Sequence, residues 1–279
     1  MHRYILFAGA LLLVTGSNAQ VEVEQLVVRP GERIENVFET EDGSLYFTGA
    51  LNSEVLRLTP RGRVEVFVDS ISFPQGILPY GDGFVIDSQD REPDFTAPGG
   101  FSFSGLGARL SVVNRRGRVI NTLTGPDEDA FYNGMAFVGT DTLLIADPGG
   151  DRILRADLER GTVDVWLESD IIQGALGVTP PGPGARPNGL KIHDGWVYFS
   201  RGDIYRIAIG SDGMPTGTPE LAAVTGGTDD FDIAADGTIF ASSGDGIVMT
   251  TADGDSMPFL REGCGFCTAA RVSRDGRSL

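Results

Sequence analysis

The chain has 279 residues, of which 22 are basic and 39 acidic, and its formal net charge is −17. This negative excess is repelled by nucleic-acid phosphates and by anionic lipid, which excludes both as expected partners. Hydrophobic residues make up 41% of the chain, which excludes a disordered protein. Histidine occurs only at His2 and His193, and lysine only at Lys191. Chemistry that needs two histidines or a lysine-rich phosphate site is therefore excluded, which leaves mainly acidic, amide, arginine and hydroxyl side chains.

The N-terminal residues 1–19 have the pattern of a secretory signal peptide. A short basic start ending at Arg3 is followed by an apolar run from Tyr4 to Gly16 and by small residues up to Ala19. The alternative is a membrane anchor, but the apolar run is too short to span a bilayer. We therefore expect cleavage before Gln20. The mature chain, residues 20–279, is then a single domain that is secreted or lumenal, or periplasmic in a bacterium, and has no membrane contact.

A motif of strand, tight turn and strand occurs six times after the leader. Its copies are VFETEDGSLYFTG, ILPYGDGFVIDS, MAFVGTDTLLIAD, LKIHDGWVYFS, FDIAADGTIFAS and ARVSRDGRSL. The turn aspartates are separated by 40, 59, 53, 42 and 39 residues; they are Asp42, Asp82, Asp141, Asp194, Asp236 and Asp275. A second β-rich strand pair follows each of the first five copies. The sequence therefore predicts an all-β, six-bladed β-propeller, since a β-sandwich would not repeat four strands in this order.

The sixth copy ends at Leu279, inside its second strand, so the last blade is incomplete. We expect the run from Val21 to Val28 to add the outer strand to this blade and to close the ring. Closure of the ring would leave only short sheet edges exposed.

The start of each innermost strand of a propeller lies at one mouth of the central channel. About seven residues before each turn aspartate, every repeat has a side chain with an oxygen atom; these are Glu35, Gln75, Asn133, Asn188, Asp229 and Thr268. Carboxylate and amide oxygens suit a hard divalent cation such as Ca²⁺ or Mg²⁺. The four candidate metal ligands are Glu35, Asn133, Asn188 and Asp229. The alternative is structural, because Asn-Gly is a common turn pair and Asp229 could cap a strand.

Long connections between strands predict the walls of a substrate pocket at the same mouth. The segment from Ser88 to Ala108 is rich in glycine and contains Phe101 and Phe103, and a proline-rich segment from Ile172 to Pro187 precedes Asn188. Long irregular loops in a compact domain are commonly functional, although a disordered flap is the alternative. The apolar rim favours a hydrophobic metabolite. The substrate-binding candidates are Gln75, Phe101, Phe103, Arg186 and Phe231.

The two cysteines, Cys264 and Cys267, form a Cys-Gly-Phe-Cys pair. In an oxidising compartment this pair can close into a small disulfide loop. A thioredoxin-like redox site is the alternative, but that site needs a helix after the first cysteine, and the pattern predicts none.

The strings IENVFETEDGSLYF, YNGMAF, PNGLKIHDGWVYF and TDDFDIAADGTIF resemble the SMP-30/gluconolactonase/LRE-like family of six-bladed propellers. The resemblance covers about residues 30 to 279. It implies that Glu35, Asn133, Asn188 and Asp229 bind the divalent cation and that Asp229 is the general base of lactone hydrolysis. The residues around Glu35 are more similar to a secreted subgroup of this family that is frequent in fungal secondary metabolism. Some members of that subgroup resemble hetero-Diels–Alderases of tropolone–sesquiterpenoid biosynthesis.

Three functions follow from these observations. The first is metal-assisted hydrolysis of a lactone or ester, in which Asp229, with Glu35 beside it, carries the catalysis without an organic cofactor. The second is a metal-independent cyclase that orients a reactive polyene in the same pocket. The third is a propeller that binds a small molecule without catalysis. The oligomeric state stays open.

Overall fold

The computed structural model describes residues 8–17, 20–93, 105–173, 186–244, 246–261 and 266–279. Regular structure in these residues is β-strand apart from one short helix, α1 (Asp170–Gln173). No helix within these ranges is long and apolar enough to cross a membrane. The prediction of an all-β fold is therefore confirmed.

The N-terminal residues form a two-stranded antiparallel sheet of β1 (Ala8–Ser17) and β2 (Gln20–Pro30). Val27 of β2 is buried against Ile34 and Phe47, which attaches the sheet to the first repeat. The expected addition of residues 21–28 to the last blade is not confirmed, because β2 takes β1 as its partner in a separate sheet. Cleavage of residues 1–19 stays a prediction, and residues 1–7 and 18–19 lie outside the described ranges.

Each of the first three repeats forms a four-stranded antiparallel sheet whose strands lie side by side in chain order. The first consists of β3 (Ile34–Glu39), β4 (Leu45–Gly49), β5 (Glu54–Leu58) and β6 (Val64–Val68). The second consists of β7 (Pro74–Tyr80), β8 (Gly83–Gln89), β9 (Ala108–Val113) and β10 (Val119–Thr124). The third consists of β11 (Met135–Phe137), β12 (Thr142–Asp147), β13 (Arg152–Asp157) and β14 (Thr162–Leu167).

The fourth and fifth repeats share one six-stranded sheet because two of its strands are long. Its strands are β15 (Leu190–His193), β16 (Trp196–Ile209), β17 (Pro215–Ile233), β18 (Ile239–Ser243), β19 (Gly246–Thr250) and β20 (Ser256–Leu260). Both β16 and β17 contain two of the strands that the repeat predicts. The chain folds back within β16, since the N–H of its last residue, Ile209, donates at 3.0 Å to the carbonyl of Gly195, the residue before its first.

In five of the six predicted turns the aspartate is followed by glycine, and at Asp141 it is followed by threonine. Asp42 Oδ1 accepts hydrogen bonds from the Thr40 hydroxyl at 2.7 Å and from the Ser44 N–H at 3.0 Å. Gly43 follows with a φ of 75°, a left-handed conformation in which a Cβ would be strained. Such turns explain why a large share of the acidic residues marks hairpins.

Successive repeats pack face to face around a common centre. The first strand of each repeat contacts that of the next, from β3 to β7, β11, β15 and β17. One apolar core lies between the second and third repeats, where Val85 and Leu110 meet Leu143 and Ile145. Burial between neighbouring sheets is what stabilises a propeller, since one repeat cannot bury both of its own faces.

The C-terminal segment, residues 266–279, lies between the fifth and first repeats. The Arg271 guanidinium donates at 3.2 Å to both the Phe231 carbonyl on β17 and the Val37 carbonyl on β3. The Val272 N–H donates to Asp232 Oδ2 at 2.9 Å. The segment therefore takes the place of an innermost strand on this side, while the count of six blades and their closure stay predictions.

Candidate active site at the start of the innermost strands

The six predicted oxygen donors lie at equivalent positions of their repeats, and we call them the entrance ring. Glu35 and Gln75 are on β3 and β7, Asn133 and Asn188 come just before β11 and β15, and Asp229 is on β17. These five side chains are buried. Thr268 completes the entrance ring from the C-terminal segment, where its hydroxyl donates to the Ile34 carbonyl at 2.6 Å.

The two Asn-Gly pairs of the entrance ring are not turns. Gly134 and Gly189 lack the positive φ found at the turn glycines. Instead, a Cβ at Gly134 would collide with the Asn188 carbonyl, and one at Gly189 would collide with Asp230. The Gly134 N–H donates to the Asn188 carbonyl at 3.0 Å, and the Gly189 N–H donates to the Asp229 carbonyl at 3.1 Å. The glycines thus allow neighbouring strands to approach closely, which holds three ring members side by side.

Asn188 and Asp229 are joined directly through their side chains. Asn188 Nδ2 donates to Asp229 Oδ1 at 2.7 Å, which fixes the orientation of the amide. Asn188 Oδ1 is buried and has no hydrogen-bond partner among the described residues. A buried oxygen without a partner costs free energy, so this atom is free to accept a ligand proton or to coordinate a cation.

Arg33, which the sequence analysis did not select, neutralises one side of the entrance ring. Its Nε lies 2.7 Å from Glu35 Oε2 and its second guanidinium nitrogen donates to Glu35 Oε1 at 3.1 Å. Burial works to lower the pKa of Arg33, but the carboxylates of Glu35 and Asp229 raise it overall. Arg33 therefore stays charged next to the two acidic members of the ring.

Asp229 is the member of the entrance ring whose protonation is most altered. Its burial, followed by the nearby Glu35 carboxylate, raises its pKa well above the ordinary value. Arg33 and the Asn188 hydrogen bond act in the opposite direction without cancelling the shift. A carboxyl whose pKa moves toward neutrality is better matched to accept a proton during a reaction.

A second buried carboxyl, Asp87 on β8, lies behind the ring. The repeat-equivalent positions on β4, β16 and β18 carry hydroxyls that connect one strand to the next repeat; these are Thr48, Ser200 and Ser242. Burial raises the pKa of Asp87 well above its ordinary value, against a hydrogen bond from the Gly76 N–H that lowers it. Aligning the five repeats would have shown this exchange of hydroxyl for carboxyl.

The predicted substrate-binding residues in the described ranges differ in position and contacts. Gln75 is buried in the entrance ring, where its Nε2 donates to the Pro74 carbonyl at 3.2 Å. Arg186 donates to the Pro148 carbonyl at 2.8 Å and lies 3.3 Å from Asp151 Oδ2. Phe231 was expected to touch substrate, but it has no exposed surface and packs in the core, which gives it a structural role.

Several predicted wall and loop residues lie outside the described ranges. Phe101 and Phe103 are among them, as is most of the segment from Ile172 to Pro187. Cys267 is disulfide-bonded, and Cys264, the other cysteine of the sequence, also lies outside these ranges.

The side-chain oxygens of the entrance ring are of the types that bind a divalent cation. Glu35 and Asp229 supply carboxylates, Asn133 and Asn188 supply amides, and Asn188 Oδ1 is a buried oxygen without a partner in the described part of the chain. The described residues contain no group of three acidic, histidine or cysteine side chains, so amides would have to complete the coordination. Arg33 lowers the net negative charge of the site, which favours weak and exchangeable binding.

Comparison with known proteins establishes the fold. No family profile matches the chain, and no curated protein matches it. Among solved structures, a gluconolactonase from Xanthomonas campestris has a TM-score of 0.64 at 15% identity, covering 87% of this chain and 80% of its own. Regucalcin from Agrobacterium tumefaciens, described as a calcium-binding protein, has a TM-score of 0.57 at 16% identity, covering 80% and 72%.

A third similar structure is virginiamycin B lyase from Staphylococcus aureus, with a TM-score of 0.56 at 15% identity. The match covers 91% of this chain and 84% of the lyase. These proteins are β-propellers, so the expected resemblance to gluconolactonase-like propellers is confirmed for the fold.

Proposed function

We propose that the protein is a secreted enzyme that hydrolyses a lactone or related ester of a small apolar metabolite. The observation that carries the proposal is Asp229, a buried carboxyl of raised pKa that lies between Asn188 and the charge of Glu35. No organic cofactor is required for this reaction. The partner is a small molecule, and neither nucleic acid nor membrane takes part.

In this proposal a divalent cation, Ca²⁺ or Mg²⁺, is held by Glu35, Asn133, Asn188 and Asp229. When bound, it supplies Lewis-acid polarisation of the substrate carbonyl. Asp229 takes a proton from the attacking water, and the Asn188 amide holds Asp229 in place at 2.7 Å. Arg33 keeps the Glu35 carboxylate in one orientation through two contacts.

Two lines of evidence support this class of reaction. The similar solved structures include a gluconolactonase and a calcium-binding regucalcin. In addition, the entrance ring contains no histidine or lysine, so a carboxylate is the available proton acceptor. From the sequence, we expect the phenylalanine-containing and proline-rich segments to favour an alkyl-substituted lactone over a free sugar acid.

A panel of lactones with increasing alkyl chains tests the proposal. We expect the mature protein to hydrolyse at least one alkyl δ-lactone, to lose this activity in EDTA and to regain it with CaCl₂ or MgCl₂. Unchanged turnover in EDTA contradicts a role for the divalent cation. Unchanged turnover in Asp229→Asn contradicts the role of Asp229 as general base. Tight binding of a lactone without any product favours a binding protein instead.

A metal-independent cyclase of secondary metabolism is the second candidate. The observation in its favour is Arg33, whose guanidinium already binds both oxygens of Glu35 and so supplies a positive charge that needs no metal. The entrance ring would then hydrogen-bond and orient a polyene. Conversion of a hydrophobic diene at full rate in EDTA, with no lactone hydrolysed, distinguishes this candidate from the first.

A further inference from the structure

The single lysine of the chain lies in a pocket away from the entrance ring. Of the 22 basic residues, Lys191 is the one that is not arginine. It lies on β15, three residues after Asn188, and its side chain is 13% exposed. The pocket has a volume of about 480 Å³ and extends toward the ends of the innermost strands, where Glu39 and Asp232 line it.

The pocket has apolar walls around the amine. Val37, Leu78 and Met135 line it from the first three repeats, and Leu26 and Leu45 line its outer part. A space of this size is sufficient for a small organic ligand.

Lys191 shares one carboxylate with an arginine. Lys191 Nζ lies 2.7 Å from Asp230 Oδ1, and an Arg271 guanidinium nitrogen lies 3.1 Å from Asp230 Oδ2. Asn36 Nδ2 also donates to Asp230 Oδ2, at 3.2 Å. We call these four residues the lysine cluster. Because Arg271 and Asn36 remain on Asp230, the carboxylate keeps a positive partner when the amine gives up its proton.

The burial of Lys191 makes its neutral amine available near neutral pH. Burial, followed by the like charge of Arg271, lowers its pKa to about 8, against Asp230 and Asp232, which raise it. An arginine at this position would stay protonated, since its pKa lies above the physiological range. A desolvated lysine beside a second cation is a known way to obtain a nucleophilic amine.

We propose that the pocket around Lys191 is a second small-molecule site, in which the Lys191 amine forms an imine with an apolar aldehyde or ketone. The proposal is independent of the proposed hydrolysis, because it uses no member of the entrance ring. It rests on the apolar walls, on the accessible amine and on Asp230, which is shared with Arg271.

The proposed step is balanced without an oxidant or a reductant. The ammonium first releases a proton to solvent, and the neutral Nζ attacks the carbonyl carbon, forming a C–N bond. The nitrogen then gives up its two protons and the carbonyl oxygen takes up two, so the C–O bond breaks, water leaves and the C=N bond forms. Hydrolysis of the imine returns lysine and the carbonyl compound.

Trapping with hexanal and cyanoborohydride tests the proposal in the full-length mature protein, because cyanoborohydride converts an imine into a stable secondary amine. Peptide mapping by mass spectrometry separates Lys191 from the N-terminal amine. At pH 7 we expect Lys191 to be labelled at least tenfold faster than N-acetyl-lysine, since a pKa of about 8 leaves about a tenth of the amine neutral. The rate should reach half of its maximum near pH 8.

Two variants serve as controls. Lys191→Arg keeps the positive charge beside Asp230 and should show label at the N-terminal amine only. Val37→Phe narrows the pocket but keeps the backbone carbonyl of residue 37, which accepts from Arg271, and it changes no side chain of the lysine cluster. It should slow labelling of Lys191 at least fivefold. Labelling of Lys191 only after unfolding, a half-maximum near pH 10, or an unchanged rate in Val37→Phe would overturn the proposal. EDTA should leave the rate unchanged, which separates this site from the proposed cation site.

Discussion

Asp229 and Asp230 are consecutive residues of one strand, both are buried, and their carboxyls have opposite pKa shifts. Asp229 belongs to the entrance ring, where burial and the Glu35 carboxylate raise its pKa well above the ordinary value. Asp230 belongs to the lysine cluster, where burial also acts to raise its pKa, but Arg271 and Lys191 lower it overall. The two side chains have different partners: Asp229 accepts from Asn188, whereas Asp230 pairs with Lys191 and Arg271.

This contrast shows that burial alone does not decide the charge of a carboxyl. Asp230 has two cations in direct contact, whereas the nearest cation of Asp229, Arg33, is already bound to Glu35. A buried carboxyl such as Asp229, whose nearest cation is already paired with another carboxylate, takes up a proton more readily. A buried carboxylate such as Asp230, which has cations in direct contact, stays charged and acts as their counter-ion. The first is suited to chemistry and the second to structure.

The largest expected effect is the loss of activity in Asp229→Asn. An amide cannot accept the proton, so kcat for the lactone found by the screen should fall by about 10²–10⁴-fold. The variant should remain folded, since the amide oxygen can still accept from Asn188 and Arg33 keeps its contacts with Glu35. Equal thermal unfolding midpoints at pH 7, measured by circular dichroism, would check this. A variant that loses activity only because it unfolds would contradict the assignment.

The next largest effect is expected from Asp230→Asn, and it concerns stability. Removing this carboxylate leaves Lys191 and Arg271 buried without a counter-ion, which typically costs about 3–5 kcal/mol. Because the pKa of Asp230 is lowered, its stabilisation is present at neutral pH and is lost as the pH falls through its folded pKa. Urea unfolding at pH 7 should therefore separate this variant clearly from Asp229→Asn. Similar unfolding free energies for the two variants would remove the contrast.

The sequence predicted the repeats and the entrance ring because both depend on patterns that recur. Alternating apolar residues and Asp-Gly turns set the strands, and one position per repeat supplied Glu35 and its equivalents. The lysine cluster does not recur, since Asp230 stands where three other repeats have glycine, so no repeat pattern predicts it. Arg33 was missed because its role depends on its contacts with Glu35, which no repeat pattern predicts. Asp87 stands where three other repeats have a hydroxyl, so only its departure from the repeat pattern indicates it.

A third prediction compares Asp87, which is buried, with Asp42, which is exposed in a turn. Burial raises the pKa of Asp87, so its ionisation destabilises the fold progressively as the pH rises above about 4. Asp87→Asn should therefore stabilise the protein at pH 7, and the gain should vanish below about pH 4.

Asp42→Asn is the matched control and should have the opposite sign. Hydrogen bonds from Thr40 and Ser44 lower the pKa of Asp42 to about 2, so its contribution is present at neutral pH and is lost as the pH falls toward that value. The loss in the variant should be small because the group is exposed. Urea unfolding at pH 3, 5 and 7 measures both variants. Stabilisation by Asp42→Asn, or none by Asp87→Asn at pH 7, would show that burial and turn contacts do not set these charges.

The smallest expected effect concerns Arg33, whose positive charge acts on both Glu35 and Asp229. Replacing Arg33 with glutamine removes a positive charge from the entrance ring, so Ca²⁺ should bind about tenfold more tightly, which corresponds to about 1.4 kcal/mol. Isothermal titration calorimetry measures this without any substrate. Arg29→Gln is the control, since Arg29 pairs with Glu54 at 2.7 Å away from the ring and its loss should leave Ca²⁺ binding unchanged. If Arg33→Gln binds Ca²⁺ no better than the parent chain, the entrance ring is not a cation site. The guanidinium of Arg33 is then itself the positive partner of Glu35, as the metal-independent candidate requires.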